Sequence, residues 1–197
     1  MNFFEHVGWS RSANIYEVNV RQYTPEGTFN AFAAHLPRLQ QMGVQILWFM
    51  PIQPIGKLKR KGKLGSYYAV SDYAAVNPEF GSLNDFKALV KQAHEMGMKV
   101  ILDWVANHTA WDHVWVKKHP DWYLKNEKGE IHSYRYDNGT EVEDWSDVVG
   151  LDYSQKPLWT AMTQAMQFWV KEAAIDGFRC DVAMEVPTPF WNEARAS

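Results

Sequence analysis

Lys99-Val100-Ile101-Leu102-Asp103-Trp104-Val105 is a short apolar run that ends on a carboxylate, and the residues around it show what kind of strand it is. Upstream, Ser82 caps a helix whose stripe is Phe86, Leu89, Val90 and Ala93, and Gly97 stops it. Helix, stop, β-rich run and polar end form the repeating grammar of a parallel α/β sheet. The same grammar occurs twice more. After Thr28, a stripe of Phe29, Phe32, Ala33, Leu36 and Leu39 ends at Gly43 and feeds Val44-Gln45-Ile46-Leu47-Trp48-Phe49, with Pro37 expected to kink the helix. From Pro157, a face of Leu158, Met162, Ala165, Trp169 and Ala173 feeds Gly177-Phe178-Arg179-Cys180-Asp181-Val182. With Asn14–Val20 in front, the expectation is four parallel strands, near 14–20, 44–49, 99–105 and 177–182, in sequential order. A fourth helix is expected to begin near Thr188.

Two connections are far longer than the few residues a βα loop needs: 50–81 and 106–156. Both follow strand C-termini, the face on which parallel α/β proteins build sites. The longer one, rich in Trp, Tyr, Asp, Asn and Gly, is expected to be an irregular lobe. Within the shorter, Lys57–Lys63 reads as a solvated loop tip, with a ligand contact as the lesser reading.

Composition narrows the function. The 197 residues carry 20 basic and 23 acidic side chains, a formal charge of −3, which gives no broad basic surface for nucleic acid. No apolar stretch approaches the roughly 18 residues of a membrane span. Met1-Asn2-Phe3-Phe4-Glu5-His6 lacks the basic-then-apolar plan of a signal peptide, so a cytoplasmic location is expected. The single cysteine, Cys180, excludes an internal disulfide and multi-cysteine metal sites. No glycine-rich phosphate loop follows any strand. Aromatic residues reach 15%, a surplus that suits a groove or an interface as well as a Trp-rich core.

Alternation along the last strand puts Phe178, Cys180 and Val182 on one face and Arg179 with Asp181 on the other. A guanidinium beside a carboxylate in a dry cleft keeps the acid anionic, as a nucleophile requires, although an internal ion pair would look the same. Asp103-Trp104-Val105-Ala106-Asn107-His108 gathers a second carboxylate, a carboxamide and an imidazole at a neighbouring strand end, an arrangement that would also suit an Asp tying down a loop. Parallel strands bring both clusters to one rim.

In this order the two stretches resemble the first two signature regions of the α-amylase family of retaining glycoside hydrolases, which act on α-glucans in a (β/α)8 TIM barrel. Ser66–Tyr73 with Val76–Gly81 resembles the family's second-strand loop, and His119–Tyr123 with Leu151-Asp152-Tyr153 resembles its B-domain. The resemblance implies four βα units of the barrel over 1–105 and 157–197, with a small B-domain over 106–156 after the third strand. It makes Asp181 the nucleophile, Arg179 the cation that orients it, and His108 and Tyr68 the contacts to the sugar, with Asp103 organising the site from beneath. Asn107 corresponds to a calcium ligand in members that hold a structural calcium, and no cofactor is otherwise required. Met184 and Glu185 stand where many calcium-binding members have Lys-His, and Gly150 where an Asp often stands.

The acid/base Glu after the fifth strand and a third Asp after the seventh are expected beyond Ser197, so a poorly active fragment prone to self-association through open barrel edges is expected. Glu185 and Glu193, the nearest downstream carboxyls, lack that strand-loop context. Two other readings stay open: a non-catalytic half-barrel that binds α-glucan or maltooligosaccharide, and a metal-dependent hydrolase using Asp103, His108 and His113.

Overall fold

A computed structural model describes residues 5–197. Residues 1–4, part of the stretch read for a signal peptide, lie outside the described residues. The elements follow as β1 (Ile15–Val18), α1 (Val20–Tyr23), α2 (Phe29–Ala33), α3 (Leu36–Gln41), β2 (Ile46–Phe49), α4 (Leu83–Glu95), β3 (Lys99–Trp104), β4 (His108–Ala110), α5 (Val114–Lys118), β5 (Ser133–Asp137), β6 (Val142–Gly150), α6 (Lys156–Ala173), β7 (Gly177–Cys180) and α7 (Thr188–Ala196). β1, β2, β3 and β7 form one sheet in that order, every pair parallel. The four expected strands are present and adjacent, each within its expected span. No helix among the described residues is long and apolar enough to cross a membrane.

Local chemistry explains the helix boundaries. Ser82 and Asp85 close a reciprocal capping box on α4, and Thr28 accepts from Ala31 N at the start of α2. Gly97 has φ 80°, a left-handed turn after α4 that glycine adopts without strain. Pro37 does more than kink: it sits in the first turn of α3, and the expected single helix is two, divided at Ala34-His35. The ring removes a backbone donor and clashes with the preceding turn, so a restart costs less than a continuous helix. β1 likewise ends at Val18, because the chain turns at once into α1.

Between sheet and helices lies an aromatic layer. Phe29, Phe32, Phe49, Phe86 and Trp169 are fully buried, with Phe86 touching Phe29, Phe49 and Trp169 ring to ring. Each such burial contributes about 2 to 3 kcal/mol. The aromatic surplus therefore goes largely into the core.

The lobe after β3 is not irregular. β4, β6 and β5 form an antiparallel sheet in that order, with Tyr134 opposite Trp145 and a register shift at Ser133/Tyr134. Asn138-Gly139 makes the hairpin turn, Gly139 at φ 85° and Asn138 N bonded to Glu141 O at 3.2 Å. Tyr134 and Tyr136 alternate with Arg135 and Asp137, a period-2 pattern that charged residues on the outer face obscure.

Lys57–Lys63 is exposed apart from the half-buried Arg60, as expected of a loop tip, and is tethered at several points. Lys61 Nζ pairs with Asp147 Oδ1 at 3.0 Å, Lys59 sits over the Trp111 ring, and Arg60 donates to Gly56 O and Ile55 O. These contacts are made at the surface, where Lys61 keeps about half of its side chain in solvent (53%).

Candidate active site

Two buried tyrosines shape the turn after β3. Tyr73 donates to Val105 O at 2.6 Å and His108 O at 3.2 Å, and Tyr153 donates to Ala106 O at 2.8 Å. These bonds satisfy carbonyls that a buried irregular turn would leave orphaned, and they present Asn107 and His108 toward the end of β7. Sequence reading quotes both tyrosines inside motifs yet assigns them no role. Their partners are backbone atoms, which carry no sequence signal.

Asp103 is the buried centre. Its side chain is fully shielded and accepts from Trp48 Nε1 at 3.2 Å, Tyr68 OH at 3.1 Å and Arg179 Nη1 at 3.1 and 3.2 Å. Burial pushes its carboxyl up to about 6 against the opposing pull of Arg179, and the neighbouring Asp181 pushes the same way. Arg179 Nη1 also donates to Asp181 Oδ1 at 2.6 Å. The guanidinium stacks 4.8 Å over the Trp48 indole, so an aromatic face and two carboxylates fix it. Alternation along β7 predicts a buried Arg179–Asp181 pair; instead the fully buried acid is Asp103, across the strand from Arg179. Asp181 stays accessible, and among the described residues its second oxygen has no hydrogen-bond partner.

Beside it opens a cleft of about 250 Å³ lined by Lys61, Ser66, Tyr68, His108, Trp145, Asp147, Val148 and Asp181. Tyr68, His108 and Asp181 thus share one cavity, and Asp103 and Arg179 reach it only through their bonds to Tyr68 and Asp181. Burial pushes the His108 imidazole down to about 4, so it is neutral near pH 7. The Asn107 carboxamide nitrogen lies 3.2 Å from its Nδ1; an amide NH2 only donates, which leaves the imidazole proton on Nε2. Lys61, Trp145 and Asp147 come from the tethered basic loop and the antiparallel lobe. Trp145 and Asp147 line the cleft although sequence reading gave them no site role, whereas Lys61 belongs to the loop tip for which a ligand contact was the lesser reading.

His113 does not join this group. It packs 4.9 Å from the Tyr73 and Trp115 rings, its Nδ1 accepting from Trp115 N. Among the described residues no three His, Cys, Asp or Glu side chains stand together as a metal would require. The metal-hydrolase reading loses its ligand set.

Comparison with known proteins covers nearly the whole chain. The family description "Alpha amylase, catalytic domain" matches residues 10–196. The chain belongs to the alpha-amylase family. An alpha-amylase from Lactobacillus plantarum is 46% identical, with a TM-score of 0.84, over 92% of this chain and 41% of that one. A noncanonic maltogenic alpha-amylase from Thermotoga neapolitana is 44% identical, with a TM-score of 0.84, over 93% and 42%. Among curated relatives, the alpha-1,4-glucan:maltose-1-phosphate maltosyltransferase of Rhodospirillum rubrum is 37% identical over 89% of this chain and 28% of that protein. The chain therefore spans well under half the length of each of these relatives.

The calcium expected at Asn107 in this alpha-amylase-family chain does not fit the residues present. A Cβ on Gly150 would lie 2.8 Å from Leu124 Cδ1 and 2.8 Å from the Tyr134 ring, so apolar groups fill the place of an acidic side chain. The Asn107 carboxamide is engaged by His108 and faces the Tyr134 hydroxyl. A hard cation needs six to eight oxygens, several of them carboxylate.

Proposed function

We propose that this chain supplies the nucleophile-bearing first four βα units of a (β/α)8 barrel that cleaves or transfers α-glucosidic bonds of maltooligosaccharide-type substrates with retention. One observation carries the reading: a single guanidinium holds both buried Asp103 and accessible Asp181, the latter in a cleft that also contains Tyr68 and His108.

Arg179 holds one oxygen of Asp181 and leaves the other to attack the anomeric carbon. Tyr68 offers a ring to the apolar face of the pyranose, and His108 Nε2–H donates to a sugar hydroxyl. Attack forms a glycosyl ester as the exocyclic C–O bond breaks. The leaving oxygen takes its proton from a carboxylic acid about 5 to 5.5 Å from the nucleophile, which we assign to downstream strands. Water, or an acceptor hydroxyl in a transferase, then displaces Asp181 and restores the original anomer. The relatives named above include amylases and a maltosyltransferase, so both water and a sugar hydroxyl are considered as acceptors. The open edges of β1 and β7 are where the remaining strands would pair.

The experiment compares residues 1–197, a chain extended by the downstream strands, and Asp181→Asn in the extended chain, with anomeric products of maltoheptaose followed by NMR. General acid catalysis is worth about 10² to 10⁴-fold, so residues 1–197 alone should give only trace turnover. The extended chain should release the retained anomer, and Asp181→Asn should abolish it. An active Asp181→Asn enzyme overturns the assignment; an extended chain that binds glucan without cleaving it leaves a binding module.

A further inference from the structure

Val182, next to Asp181, has a left-handed backbone with φ 39° and ψ 43°. A β-branched residue holds that conformation only where its surroundings over-determine it. Three bonds pin the turn to the parallel sheet and to the segment that follows it: Asp181 N to Trp104 O at 2.9 Å, Glu185 N to Val182 O at 3.0 Å, and Trp191 Nε1 to Ala183 O at 3.0 Å. A fourth comes from the antiparallel lobe, where Tyr134 donates its hydroxyl to Glu185 Oε2 at 3.0 Å. The Tyr134 ring stacks on His108 with centroids 6.0 Å apart, and Trp145 meets both rings, at 5.3 Å from Tyr134 and 5.5 Å from His108. One side chain touches both walls of the cleft.

We propose that Tyr134 is a positioning residue that couples these walls: its ring sets the His108 imidazole, and its hydroxyl, through Glu185, holds the strained turn that aims Asp181. The proposal rests on Asp181 as nucleophile and His108 as a sugar contact. Tyr134 itself touches no reacting atom. Its leverage comes from Val182, because freeing the turn lets that residue relax toward a right-handed conformation and carries Asp181 away from its alignment. Misplacement of a reacting group by about 1 Å can cost 10²-fold in rate.

The test uses the complete enzyme chain that carries these residues, with Tyr134→Phe, Glu185→Ala, their double variant, and Glu185→Gln, which keeps an oxygen to accept from Tyr134. Each of the first two should lower kcat about 5- to 20-fold with KM within about twofold, the double variant should be no worse than either, and Glu185→Gln should restore kcat to within about twofold. Multiplicative effects, or an unchanged kcat in Tyr134→Phe, overturn the coupling. Glu185→Gln as inactive as Asp181→Asn overturns it too, by giving Glu185 a chemical role. A readout independent of turnover is hydrogen–deuterium exchange: Tyr134→Phe should speed exchange of the Glu185 and Val186 amides, whereas Tyr136→Phe should not. Equal protection in both variants refutes the proposal. An active Asp181→Asn enzyme would instead remove the nucleophile while leaving the exchange coupling readable.

Discussion

Arg179 gives one nitrogen, Nη1, to two carboxylates, at 3.1 Å from Asp103 Oδ1 and 2.6 Å from Asp181 Oδ1. Asp103 and Arg179 are Cα partners across β3 and β7, so strand register creates the contact. The shared cation couples the pairing of β3 with β7 to the placement of the Asp181 carboxylate.

Removing that cation should therefore damage folding in a pH-dependent way. Arg179→Ala leaves Asp103 buried with only Trp48 and Tyr68 as donors. The loss is on the order of 3 kcal/mol, the low end for a broken buried pair because Arg179 is itself 38% exposed. Asp103 already has a folded pKa raised to about 6, so its ionisation costs stability as pH rises from the unfolded value of 3.8 through 6. Without Arg179 that pKa moves higher and the cost grows. Urea midpoints should show a larger penalty for Arg179→Ala at pH 8 than at pH 5; an equal penalty at both would mean Asp103 is not the group being compensated.

Tyr68 separates ring contact from hydrogen bonding. Its hydroxyl binds Asp103 while its ring lines the cleft. Tyr68→Phe keeps the ring and gives up a bond made to Asp103 rather than to sugar, so maltoheptaose affinity should change by no more than about 2-fold while stability falls by about 1 kcal/mol. Tyr68→Ala should weaken binding by about 10-fold or more, since the aromatic face is lost. Tryptophan fluorescence titration would measure both, and an equal loss in the two variants would deny the ring its role.

Gly150 predicts a steric result. Gly150→Asp drives its Cβ against Leu124, a flexible tip, and against the Tyr134 ring, which His108 and Trp145 hold in place. The ring cannot yield cheaply, so the variant should lose about 1 to 3 kcal/mol and gain nothing from added calcium. A thermal melt that rises with calcium would show that the replaced carboxylate completes a cation site after all.

How much of this was legible in the sequence depended on where the partner of each residue lay. β3 could be read as a largely buried apolar run between a helix stop and a polar end, and half-buried β7 from its place after α6 and its Phe178/Cys180 alternation, with Asp103 and Asp181 at their ends. Alternation relates residues within one strand, so it paired Arg179 with Asp181 and could not show that Arg179 faces Asp103 across the ladder. The hairpin of β5 and β6 escaped notice although Asn138-Gly139 announced its turn, because Arg135, Asp144 and their neighbours on the solvent face read as loop. Tyr134 and Glu185 lie 51 residues apart, and only the folding of the lobe onto the turn after β7 brings them together.

His113 gives a prediction that works against Asp103. It is buried behind Tyr73 and Trp115, and its Nε2 has no hydrogen-bond partner among the described residues. Burial holds its pKa down to about 3, against an ordinary 6.5. Between those values the unfolded chain binds a proton that the folded chain does not, so stability is complete above pH 6.5 and falls as pH drops toward 3. The full window is worth on the order of 3 to 5 kcal/mol, and His108, held down to about 4, acts in the same direction. Asp103 opposes them, gaining stability as it protonates below pH 6. His113→Asn keeps an acceptor for Trp115 N and removes one titration. Urea midpoints measured from pH 7.5 to 4 at constant ionic strength should fall less steeply in this variant than in the parent. A parallel pair of curves would show that the buried imidazole is not what acid attacks.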